Sequence, residues 1–296
     1  MTDKRAATYL ILGGCMWGIY WMPLLYLESL GITGSIAGIL LYTCCLVFLA
    51  PAIWRYRHMM ISYWRPLLLS GALAGSAFSF YTTSLFHTDV IRCILLFYLT
   101  PVWGTLIGIF VLGERLTLSR IAVILVAFGG LYVILGADGG LPIPRNLGDG
   151  LALLSGVLWA LGTLGLMRTK AVPVYPQIIA FLAGSLIVAL LTLLLIDDLP
   201  IISAAQLDWP LIMGFLGLFA IYALPMFWLT IAPARVLSPA RVGILLMSEV
   251  VVGAISAALL SGQPFGMNEL IGTVLIITAA FIEVQSHRGT QAQEQT

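Results

Sequence analysis

Gly136-Ala-Asp-Gly-Gly-Leu-Pro-Ile-Pro-Arg145 is the longest run of helix-breaking residues in this chain, and five apolar runs lie on each side of it. Before it they fall near residues 7–27, 34–54, 66–86, 90–112 and 118–136; after it, near 148–167, 176–196, 209–232, 238–260 and 267–284. Each is bounded by charge, Pro or Gly and is close to the ~20 residues that carry a helix across ~30 Å of hydrocarbon. Of the 296 residues, 60% are hydrophobic and 9% charged, and mean hydropathy is +1.04. A soluble domain needs about 25% charged residues to cover its surface. The expected fold is an all-α integral membrane protein of ten transmembrane helices. It divides into a five-helix unit over residues 1–137, a loop over 138–147, and a second five-helix unit over 148–296 that ends in a short polar tail.

Loops on the cytoplasmic side retain Lys and Arg. With the N-terminus inside, only Arg92 and Arg145 of the 14 basic residues fall outside, while acids such as Glu28, Asp89, Asp149 and Glu269 collect there. Both ends are therefore expected in the cytoplasm. The first run follows Lys4 and Arg5, yet it is too long for a signal-peptide core and lacks a small-residue cleavage site before Tyr20 and Trp21, so it reads as a retained helix. The halves also match locally. Gly14-Cys-Met-Trp17 parallels Gly156-Val-Leu-Trp159, and His87-Thr-Asp-Val-Ile-Arg92 occupies the position of Leu237-Ser-Pro-Ala-Arg241. An odd number of spans per half inserts the second upside down relative to the first, the inverted repeat of many secondary transporters.

Phe97-Tyr98-Leu99-Thr100-Pro101 in the fourth run leads to Leu112-Gly113-Glu114-Arg115-Leu116-Thr117. With this mid-helix Pro and Gly-Glu-x-Leu-Thr turn, the chain resembles the drug/metabolite transporter superfamily, in its ten-helix branch built from two EamA-type repeats. The second half departs from the pattern: Ser248-Glu249-Val250 stands where a Pro is usual, and Ser261-Gly262-Gln263-Pro264 replaces the Gly-Glu turn. The resemblance implies a bacterial inner-membrane exporter similar to those for aromatic and other apolar amino acids. It also implies a pathway built from the third, fourth, eighth and ninth helices with help from the first and sixth. A drug or general metabolite exporter, proton-coupled, is the alternative.

Glu249 lies near the middle of the ninth run, where an acid costs ~2.5–3.5 kcal/mol to insert and usually faces a cavity or a proton path. Proton carriage, binding of a substrate ammonium, and a packing role all fit such a position. Trp17, Phe78, Tyr81, Tyr98, Trp159 and Tyr222 lie well inside the runs assigned to the pathway, and aromatic rings with polar handles suit an amphipathic ligand. Together with Glu249 they form the expected substrate site. Pro101 and Pro225 each remove a helical hydrogen bond and are expected hinges or static kinks. His87, Asp89 and Arg92 cluster at the outer mouth, where an ion pair would make a gate and a solvated loop is the plainer reading.

Gly14-x3-Gly18, Gly34-x3-Gly38, Gly71-x3-Gly75 and Gly104-x3-Gly108 read as bundle packing and not as dimerisation, so a monomer is expected. Cys15, Cys44, Cys45 and Cys93 sit in or beside apolar runs without metal-ligand spacing and read as small packing residues. No basic stripe with interleaved aromatics points to nucleic acid. A membrane-embedded enzyme is disfavoured because His58, His87 and His287 fall at the ends of runs and no paired-acid or metal motif occurs. A small-molecule substrate, the bilayer and protons are the expected partners, with no cofactor or metal.

Overall fold

With no water in hydrocarbon to satisfy its amides, a spanning chain must bond them within itself; the described residues form helix and no strand. The computed structural model describes residues 3–112, 118–136, 144–168, 171–195, 207–234, 239–262 and 266–293. Its helices in the first half are α1 (Asp3–Gly18), α2 (Trp21–Ser29), α3 (Gly34–Phe48), α4 (Ala50–Ser62), α5 (Trp64–Ser84), α6 (Val90–Phe97), α7 (Thr100–Leu112) and α8 (Leu118–Gly136). The second half holds α9 (Leu147–Arg168), α10 (Val174–Leu195), α11 (Trp209–Ala234), α12 (Pro239–Leu260) and α13 (Met267–Gln293). All ten apolar runs thus carry helix. Among the described residues, three helices are individually long and apolar enough to cross a membrane: Lys4–Ser29, Val174–Leu195 and Trp209–Pro233. The turn over 113–117, most of the loop between the halves, and Gln263 and Pro264 lie outside the described residues.

Three runs of the first half are interrupted. The run expected over 34–54 ends early: α3 stops at Phe48 and α4 leaves at 80° to it. Pro51 at the start of α4 is the reason, since it has no N–H with which to continue the α3 ladder. At Ile19 and Tyr20 the first helix tightens to i→i−3 bonds, Ile19 N–H to the Met16 carbonyl at 3.2 Å and Tyr20 N–H to the Trp17 carbonyl at 3.0 Å. The fourth breaks at Tyr98 and Leu99, just before Pro101. Pro101 cannot donate to the Phe97 carbonyl, and the Thr100 hydroxyl does so instead at 2.6 Å.

Contacts between the halves come in exchange-related pairs. α1 packs on α12 as α9 packs on α6 and α7; α1 packs on α11 as α9 packs on α5; α3 packs on α11 as α10 packs on α5. The pairs α8 with α13 and α3 with α10 map onto themselves. Glycine permits the closest of these approaches. A Cβ on Gly18 would lie 2.8 Å from the Glu249 carbonyl oxygen and 2.8 Å from the Gly253 nitrogen on α12. On α5, a Cβ on Gly71 would meet the Ala180 carbonyl carbon at 2.8 Å, and one on Gly75 the Phe181 carbonyl oxygen at 2.7 Å. Gly34, Gly38 and Gly104 of the other two Gly-x3-Gly motifs do not pack this way. Gly104 has nothing within 4 Å of such a Cβ, Gly38 faces its own helix's Tyr42, and Gly34 sits at a helix start with φ 57°.

Candidate functional site

The repeated Gly-x-x-Trp motif sets the centre of the molecule. A Cβ on Gly156 of α9 would come 2.8 Å from the Phe97 carbonyl oxygen at the α6–α7 break, and one on Gly14 of α1 would come 3.3 Å from the Glu249 nitrogen on α12. Each half's first helix therefore presses a glycine against the middle of the other half's fourth. Counting from Arg92 and Arg241, Thr100 and Glu249 hold corresponding positions, as do Pro101 and Val250. α12 has no proline there, and it runs unbroken where α6 and α7 part.

At this junction the Tyr98 hydroxyl joins the two halves. The Tyr98 hydroxyl donates to Glu249 Oε2 at 2.5 Å and lies 3.1 Å from the Leu246 carbonyl oxygen. Glu249 is 5% exposed and Tyr98 7%. The break explains how Tyr98 gets there: as the residue that ends α6, it is released from helical continuation and sits across from the unbroken α12.

Around this contact the structure brings all six sequence-predicted rings into one connected cluster. Trp17 meets Phe78 edge-on at 5.2 Å, and Tyr81 reaches Tyr98 through Phe97, at 4.9 and 5.4 Å. Trp159 joins Phe78 through Phe181, at 6.3 and 5.1 Å, while Tyr222 joins through Phe219 to Tyr20, at 6.1 and 5.9 Å. Tyr20, Phe181, Phe219 and Phe227 are the members sequence reading missed. Tyr20 and Phe181 were open to discovery as aromatics within apolar runs, but nothing local separates them from lipid-facing rings. The polar handles are partnered within the protein: Trp17 Nε1 donates to Thr230 Oγ1 at 2.9 Å, and the Tyr42 hydroxyl to Thr82 Oγ1 at 2.7 Å. Tyr20 shares Thr82 at 3.0 Å, and the Tyr222 hydroxyl donates to the Met16 carbonyl.

The cluster expected at the outer mouth pairs differently from the expectation. Asp89 is exposed and His87 half-buried, and the arginine reaches past both to the second half. Arg92 donates to Asp149 Oδ2 at 2.6 Å through Nη2 and to Oδ1 at 3.3 Å through Nε; the side chains are 10% and 0% exposed. Asp149 also accepts from the Thr88 hydroxyl at 2.7 Å and the Arg145 backbone N–H at 3.1 Å. It lies in the first turn of α9, where a negative charge faces the helix's positive end. Of the two expected hinge prolines, Pro225 lies within α11, which continues through it to Ala234. The backbone break before Pro101 is the only feature near either that interrupts a helix among the described residues. Cys45 and Cys93 are buried and Cys15 and Cys44 half-buried, all four as free thiols, and no group of three metal-ligating side chains occurs among the described residues.

A crystal structure of another protein is similar over nearly the whole length, with TM-score 0.60 and 18% identity, covering 98% of this chain and 99% of that one. At that identity the likeness speaks for the fold alone. No curated protein matches the chain. The EamA-like transporter family matches it twice, over residues 4–136 and 146–284. Two family repeats thus cover both halves of a helical chain whose inter-half contacts exchange in pairs, and the protein belongs to the EamA-like transporter family.

Proposed function

We propose that this transporter exports small amphipathic metabolites, foremost aromatic and other apolar amino acids, by alternating access at the interface of two inverted repeats. Ten spans with both termini in the cytoplasm of an inner membrane complete the reading. The observation that carries it is the buried Tyr98–Glu249 contact between the halves, set against a continuous aromatic cluster. A carboxylate there offers a counter-charge to a substrate ammonium or a carrier for a coupling proton, and the rings offer apolar surface for a side chain. Trp17, Phe78, Tyr81, Tyr98, Trp159, Tyr222 and Glu249 form the site. The Arg92–Asp149 pair is the outer closure in this state. Opening the outer side separates α6 from the start of α9, with the α6–α7 break before Pro101 as the hinge.

Efflux of a panel of labelled amino acids and hydrophobic cations from proteoliposomes, with and without a pH gradient, tests this reading. Efflux of aromatic and apolar amino acids that Tyr98→Ala and Tyr81→Ala weaken is the expected result. Efflux of the cations with none of the amino acids would replace the reading by that of a drug exporter.

A further inference from the structure

α4 is the one helix of the first half with no buried side chain. Its inner face, with Ala52, Tyr56, Met59 and Met60 half-buried, rests against the protein, and Tyr56 stacks on Tyr175 at the start of α10 at 6.3 Å. The outward face carries Trp54, Arg57, His58 and Ile61, at the i, i+3, i+4 and i+7 positions that share one side of a helix. Trp54 is 72% exposed and Ile61 69%. Apolar and cationic groups are interleaved there. The Arg57 guanidinium lies 4.2 Å from the Trp54 ring and donates to the Trp54 carbonyl at 2.8 Å, and Arg55 and Arg65 lie over Tyr56 and Trp64 at 5.8 and 5.4 Å.

Acids are missing around these cations. The sequence holds no Asp or Glu between Glu28 and Asp89, and the segment 167–176 that brings Tyr175 to α4 contains Arg168 and Lys170 and no acid. No carboxylate of these segments is available to neutralise the arginines, and an anionic group from outside the chain complements them. A helix at 80° to its neighbour, with Trp and Ile beside Arg, has the composition of one that lies in the plane of a membrane surface. There indole rings take the headgroup level, and the arginine fork matches a phosphodiester.

We infer that α4 and the start of α5 form a docking surface for the anionic phospholipid headgroups of the membrane leaflet at that end of the bundle, held by Arg55, Arg57 and Arg65 and seated by Trp54, Ile61 and Trp64. This rests on the protein's being a membrane transporter and is independent of which substrate it carries. Polybasic segments attract anionic lipid strongly enough that three arginines give a preference above roughly tenfold at low salt.

Native mass spectrometry of the purified full chain, equilibrated with equimolar phosphatidylglycerol and phosphatidylcholine, measures that preference as the ratio of retained lipids. The wild type should retain phosphatidylglycerol with at least several-fold preference. Arg55→Gln/Arg57→Gln/Arg65→Gln should bring the ratio close to one, and Lys4→Gln/Arg5→Gln, a control for net charge, should leave it high. Should the triple variant prove poorly folded, the single Arg57→Gln at an exposed site is expected to lower the ratio by a measurable factor. Equal retention of the two lipids by the wild type overturns the proposal, as does an equal loss of preference in the Lys4/Arg5 control.

Discussion

Glu249 and Tyr98 are 151 residues apart in sequence, and their contact is the smallest feature on which the transport reading depends. Removing the Tyr98 hydroxyl leaves the ring contacts with Phe97 intact but deprives the carboxylate of its hydrogen bond, worth about 1.5–3 kcal/mol when a charged group accepts it. Tyr98→Phe is therefore expected to stay folded and to transport more slowly, and initial efflux rates at matched reconstitution check this. Glu249→Gln separates the two chemical roles, because Gln keeps shape and loses titration. If the carboxylate carries the coupling proton, substrate affinity survives and the response to a pH gradient disappears. If it binds the ammonium, affinity falls at every pH. Wild-type affinity together with wild-type pH response would remove Glu249 from the site.

At the scale of helices, close packing rests on a few glycines. A Cβ on Gly18 would lie 2.8 Å from α12 backbone atoms, which have no rotamer to move aside, so Gly18→Leu must separate α1 from α12. Overpacking of this kind costs about 1–3 kcal/mol. Gly104→Leu, with nothing within 4 Å, should cost nothing measurable. Thermal unfolding of both variants in one detergent compares them directly, and equal midpoints would mean that α1 and α12 do not meet as described.

The whole molecule is two halves joined by the buried pair of Arg92 and Asp149, 57 residues apart. Removing one partner of a buried pair costs about 3–5 kcal/mol, because the remaining charge is stranded. Arg92→Ala and Asp149→Ala should each destabilise by about that amount, and the double variant by much less than their sum; additive losses would show that the pair does not join the halves. Topology is tested on the same scale. Reporter fusions after Arg145 and Asp198 should read outside and fusions after Arg57 and Arg168 inside, and a reversal at any one of them would break the proposed ten-span orientation.

Sequence by itself determined where helices form, because apolar runs and their Gly, Pro and charged borders are local properties of the chain. It also disclosed the doubled architecture through Gly14-x-x-Trp17 and Gly156-x-x-Trp159, and the isolated acid Glu249, whose insertion cost is legible from its position alone. Tertiary structure decided which partner each residue has: Asp149 and not Asp89 for Arg92, Tyr98 for Glu249, and Tyr20, Phe181 and Phe219 as the links between the predicted rings. The physical reason lies in the solvent. A helix in water declares its inner face by an apolar stripe, but lipid is as apolar as a bundle core, so a helix such as α11 is apolar nearly all round and its sequence leaves the rotation about its own axis largely undeclared. That rotation is fixed by glycine contacts and buried hydrogen bonds between residues far apart in the chain, which exist only once the helices have met.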